Sequence, residues 1–225
     1  MRLFDLFRDD APALVRQASK EMGEVIDIAR SMWSAAISHL LFSASLDVSL
    51  EEMDAGINAR ERSIRKAVFK HIEKYPHEDL VLGLVLVSTV QDGERIGDWI
   101  KHIAGLSDLA QKPLMGPRLS PLREAGDRIT RMFDHTFDGF VNGDVASARR
   151  VMVDSVSVKS DLRAFIDAVA AAEDLGPNAA VVLSNAALMM GRVSSHLSNI
   201  ASSVVLPYER IRGPVDDDTS AANES

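Results

Sequence analysis

A chain of 225 residues is long enough for one large domain or two small ones with a proper core, and 46% hydrophobic residues exclude a disordered composition. The formal charge of −8 argues against nucleic acid or an anionic membrane as general partners, because both need a cationic surface. With no cysteine there are no disulfides, thiolate metal sites or cysteine nucleophiles, which fits a cytoplasmic protein, and aromatics at 5% suit helix-on-helix packing.

In chain order, "MRLFDLFRDDAPALV" places acids and a proline where an export signal needs an apolar core. A first helix is expected from Ala13 to Ala44, with Val15, Met22, Val25, Ala29, Met32 and Ala36 on its apolar stripe. Ser49 and Glu52 form a capping box that opens a second helix. That helix turns Met53, Ile57, Ile64 and Val68 inward and ends near Lys74. Pro76 stands at a helix-start position, and a third helix is expected from there to Ala110. Its apolar run "LVLGLVLVSTV" (80–90) is too short for the ~18–20 residues that span a bilayer, so it reads as a buried helix segment.

The stretch 107–121 holds three prolines and a glycine and divides the chain. Ser120 and Pro121 read as cap and first residue of a fourth helix, along which Leu122, Ala125, Ile129, Met132, Phe133, Phe137 and Phe140 repeat at helical spacing. Asn142-Gly143 ends it and Asp144 caps a fifth, expected to run to Leu175, where Gly176-Pro177 stops it. A sixth runs from Asn178 to about Leu206 before Pro207. The tail "GPVDDDTSAANES" is acidic and small and is expected to be disordered. The expected fold is therefore all-α, two tandem three-helix bundles: a first repeat at 10–112, a linker at 113–120, a diverged second repeat at 121–212 and a tail at 213–225. "ERIGDWIKHIAGLS" (94–107) aligns with "GRVSSHLSNIASSV" (191–204) in the third helix of each half, which supports duplication.

The residues that could carry chemistry lie in "DGERIGDWIKHIAG". Glu94, Asp98 and His102 stand four apart, and each step of four advances around a helix by only about 40°, so they form one polar ladder opposite Trp99, Ile100, Ile103 and Leu106. On the second helix Asp54, Asn58, Glu61 and Arg65 form a comparable stripe. Side by side, the two stripes would offer hard oxygen ligands suited to Fe, Mn, Mg or Ca, or to Zn and Ni if the histidine joins. The plainer alternative is a solvated helix face, with Glu61 and Arg65 an ordinary ion pair. Asp134 and Asp138 form another acid pair, read as solvated, and the remaining histidines have no metal spacing. There is no phosphate loop, HExxH or nucleophile elbow.

The string "DLVLGLVLVSTVQDGERIGDWIKHIAGL" resembles the third-helix signature of the PhoU family of phosphate-uptake regulators, through Asp79-Leu80, Asp92, Glu94-Arg95-Ile96-Gly97-Asp98 and His102-Ile103-Ala104. "MGEVIDIARSMWSAA" is similar to the family's first helix and "MDAGINARERSIRKAV" to its second, with Asp54, Asn58 and Glu61 at the matching polar positions. The resemblance implies two three-helix bundles, a cytoplasmic location and no enzymatic turnover. It also implies binding to a membrane phosphate transporter subunit or its sensor kinase, assembly with further copies of the chain, and membrane association only through those partners. It further implies iron, zinc or similar ions at E/D-x-x-x-D motifs, here Glu94 and Asp98 with Asp54 and Asn58 beside them, Glu61 and His102 being further candidates. In the second repeat the motif becomes Gly191 and Ser195, and the asparagine position becomes Val158, so at most one cluster is expected, and a metal-free site remains an alternative.

The expected function is that of a non-catalytic regulator of phosphate uptake and phosphate-starvation signalling. Its rivals are a metal-free helical dimerisation scaffold, an accessory protein of a low-affinity phosphate carrier, and a ferritin-like di-metal enzyme. The last needs E-x-x-H pairs that this chain lacks.

Overall fold

A computed structural model describes residues 13–76 and 80–213. Six long helices follow in order: α1 (Ala13–Phe42), α2 (Leu50–Lys74), α3 (Leu80–Leu109), α4 (Ser120–Val141), α5 (Val145–Ala170) and α6 (Pro177–Val205). Short 3₁₀ turns occupy Pro117–Leu119 and Tyr208–Arg210, and no strand occurs among the described residues.

The apolar period places each helix. Met22, Val25, Ala29, Met32 and Ala36 are all buried along α1, as are Ile57, Ile64 and Val68 along α2. Leu122, Ala125, Ile129, Met132, Phe133 and Phe140 do the same on α4, while Met53 and Phe137 are half-buried. The 80–90 run is helical, and among the described residues no helix is long and apolar enough to cross a membrane.

The helix ends follow local chemistry. Ser49 Oγ accepts the Glu52 N–H at 3.2 Å, and the Asp144 carboxylate accepts from the N–H groups of Ala146 and Ser147. Gly143 takes φ 70° between α4 and α5, a left-handed turn that glycine adopts without steric penalty. Three expected ends need correction. α1 stops at Phe42, two residues before Ala44, where Ser43 turns left-handed at φ 54°. Ser120 does not cap α4, because the preceding 3₁₀ turn already puts it at helical dihedrals. α5 ends at Ala170 and not Leu175, and Pro177 is the first residue of α6; a proline fixes φ for a helix start as readily as it stops one. Val15's side chain, His77, Asp79 and the 214–225 tail lie outside the described residues.

α1, α2 and α3 pack on one another, as do α4, α5 and α6, and the two triplets meet along α1–α4 and α3–α6. The apolar interior is continuous across that seam. Trp33 of α1 marks it: fully buried, it donates from Nε1 to Thr130 Oγ1 on α4 at 3.1 Å and tilts against Phe133 at 6.2 Å. The α3–α6 side of the seam contains a buried carboxylate. Asp92 accepts from His196 Nδ1 at 2.8 Å and Asn199 Nδ2 at 3.0 Å on α6, and from Arg212 at 2.8 Å. Arg212 also donates to the Ser88 carbonyl on α3, while its backbone N–H reaches Ser202 Oγ. Burial would raise the Asp92 pKa, but these hydrogen bonds and the guanidinium charge outweigh it and hold the carboxyl below its ordinary range.

Candidate functional site

The polar stripes of α2 and α3 do lie side by side, and a glycine makes this possible. A Cβ on Gly97 would stand 2.8 Å from Asp54 Oδ1 and 3.2 Å from Ile57 Cδ1, so only glycine lets α2 approach α3 with the Asp54 carboxylate in between. Gly97→Ala is therefore expected to destabilise the protein by about 1–2 kcal/mol, by over-packing a tight helix contact. Chemical denaturation would read this as a lower midpoint with an unchanged slope.

Asp54 is buried, and its Oδ2 takes two donors, Lys101 Nζ at 2.7 Å and Asn58 Nδ2 at 3.0 Å. Lys101 also sits 3.1 Å from Asp98 Oδ1, one turn back on its own helix. One ammonium thus joins a carboxylate of α2 to a carboxylate of α3. Burial lowers the Lys101 pKa, but hydrogen bonds to Asp54 and Asp98 and their charges raise it further, and the net shift is upward.

Glu94 lies next to Asp98 and near Glu61. Its pKa is raised, first by burial and then by the charges of Asp98 and Glu61, with Arg95 opposing and a hydrogen bond to Asp98 adding to the rise. Arg95 stands 3.7 Å from Glu94, and Glu61 pairs with Arg65 at 2.7 Å on its own helix. The structure therefore brings together Asp54, Asn58, Glu61, Glu94 and Asp98. It does not bring His102, which is exposed and meets the Trp99 ring edge-on at 5.8 Å. The reason is the drift of about 40° per step of four: two steps turn His102 about 80° away from Glu94 and past the α2 contact.

The donor chemistry can be tested against the ion that the resemblance implies. Asp54 Oδ1 is buried without a hydrogen-bond partner, as a metal ligand could be, but it points at the Gly97 backbone. The other Asp54 oxygen and the near Asp98 oxygen both face Lys101, whose charge has the same sign as a metal's. Among the described residues no three Asp, Glu or His side chains are grouped to hold a metal ion. As they stand, these residues do not fit one.

Sequence reasoning missed two features. Lys101 is three residues after Asp98, a spacing that puts an ion pair on one helix face, and that was the available signal. The Asp92 cluster joins residues more than a hundred positions apart, and the serine-rich "SHLSNIASS" supplies its His196 and Asn199. Asp134, read as solvated, pairs with Arg30 of α1 at 2.8 Å, and Asp138 accepts from Asn142. On the second triplet, the face related to the ladder is a cavity of about 220 Å³ lined in part by Lys159, Leu162, Arg163, Leu188, Arg192 and Ser195, basic where its counterpart is acidic.

Comparison with known proteins agrees with this architecture. The family described as the PhoU domain matches residues 22–106, which run from α1 through the α3 ladder. The crystal structure of PhoU from Pseudomonas aeruginosa superposes with a TM-score of 0.74 at 23% identity, over 84% of this chain and 93% of that one. The phosphate transport system regulatory protein PhoU from Streptococcus pneumoniae gives 0.67 at 16% identity, over 83% and 92%. No curated protein matches the chain. Residues 22–106 thus match the PhoU domain, and the chain that contains them shares the fold of these PhoU structures.

Proposed function

We propose that the chain is a non-catalytic regulator of phosphate uptake and of the phosphate-starvation response, acting by binding other proteins at the cytoplasmic side of the membrane. The observation that carries this reading is the PhoU-domain match over residues 22–106, supported by a fold shared with solved PhoU proteins over more than four-fifths of the chain. The chemistry of the site is compatible with docking. The α2–α3 seam presents carboxylates already paired with Arg65, Arg95 and Lys101, a surface of alternating sign that can exchange internal ion pairs for external ones. Its partners would be a phosphate-transporter subunit or a sensor kinase. Regulation then requires that the partner bind one state of the chain, or the chain one state of the partner, more tightly than the other.

Deleting the gene in its host tests the reading, with a phosphate-responsive reporter measured in phosphate-rich medium. The reporter is expected to switch on although phosphate is plentiful, and the wild-type gene is expected to silence it again. A reporter and a phosphate-uptake rate both unchanged by the deletion would overturn the proposal.

A further inference from the structure

The PhoU resemblance implies metal at the α2–α3 seam, but the geometry there presents a lysine. We propose that Lys101 is the resident counter-ion of this seam, its ammonium standing between Asp54 and Asp98 where a divalent cation would otherwise be required, so that the first helix triplet is complete without metal. Nζ lies 2.7 Å from Asp54 Oδ2 and 3.1 Å from Asp98 Oδ1, hydrogen-bonding distances to carboxylates on two different helices. Lys101 is thus a cross-helix tie as well as a charge. Its side chain is largely covered, and the Asp54 carboxylate is nine-tenths buried, so the pair is sheltered from the screening that weakens surface ion pairs. A divalent ion entering here would have to displace the ammonium or sit beside it against like-charge repulsion.

A second observation is independent of these distances. In the alignment of the two third helices, Glu94 meets Gly191, Asp98 meets Ser195 and Lys101 meets Ser198. On the third helix the two acids and the lysine are present together in one triplet and missing together from the other, although the second-helix position of Asp54 keeps an acid there, Asp154. That is the pattern of a charge and its neutraliser on one helix, because an ammonium without the acid one turn back would lose one of the two carboxylates that hold it.

Isothermal titration of the full chain with Mn²⁺ and with Zn²⁺, after dialysis against chelator, tests this independently of the regulatory reading. Wild type and Lys101→Arg, which keeps the charge, are expected to bind neither ion with measurable affinity. Lys101→Met is expected to bind at least about tenfold more tightly than wild type, the scale of removing one like charge a few ångströms from the ion. Lys101→Gln keeps a hydrogen-bond donor without the charge and serves if Lys101→Met does not fold, as judged by circular dichroism. Adding Asp98→Asn to either uncharged variant is expected to abolish the gain. Equal affinity in wild type and a folded uncharged variant, whether tight or undetectable, would overturn the proposal. So would a gain that survives Asp98→Asn.

Discussion

Trp33→Ala is expected to lower the stability of the whole protein by about 4 kcal/mol, the usual cost of truncating a fully enclosed large aromatic. The side chain has no exposed surface, and its removal leaves a void between α1 and α4 that the flanking Phe133 cannot fill from its own helix. Thr130 Oγ1 loses its donor as well. For a chain of this length each kcal/mol shifts the melting temperature by about 2–4 °C, so a fall of about 12 °C is expected. Because the interior is continuous across the seam, unfolding should remain a single transition. A two-step melt, with one triplet unaffected, would show that the triplets do not share their stability. Trp33→Phe keeps most of the volume and should recover more than half of the loss.

Asp92→Ala is expected to cost about 3 kcal/mol and about 9 °C, because removing one member of a buried charge network leaves its partners stranded. His196, Asn199 and Arg212 would each lose the acceptor that now holds them. The effect should depend on pH in a defined direction. The folded-state pKa of Asp92 lies below the 3.8 of a free aspartate, so its contribution is complete above that value and is lost as pH falls through the folded value. The gap in melting temperature between wild type and variant should therefore be constant near neutrality and close at acidic pH. A gap that widens on acidification would reverse the assigned sign.

The helices could be read from the sequence because burial repeats at the helical period and leaves a trace at every turn. Ser49 and Asp144 announce their helices through hydroxyl and carboxylate groups that can act only at short range. Pro177 was ambiguous for a local reason: the same ring both ends and begins helices, and only the actual stop at Ala170 decides between them. At the site, periodicity yields each stripe on its own helix, Asp54 with Asn58 and Glu94 with Asp98, but neither their meeting, which the family resemblance implied, nor the cation between them. The apolar stem of Lys101 can lie along either flank of α3, and nothing in the spacing says which. Asp92 was visible as one letter of a motif, yet its partners come from α6 and from a residue 120 positions later. Contacts of that range depend on how whole helices cross, which no short window contains.

Arg212 also bears on the order in which the protein can be finished during synthesis. It grips the middle of α3 through Ser88 and Asp92, although 120 residues separate it from Asp92. On the ribosome, the opening three helices can collapse early, but this latch on them cannot close until position 212 has cleared the exit tunnel. A truncation just before position 212 would thus loosen the first-made half of the molecule, even though every residue of that half is intact.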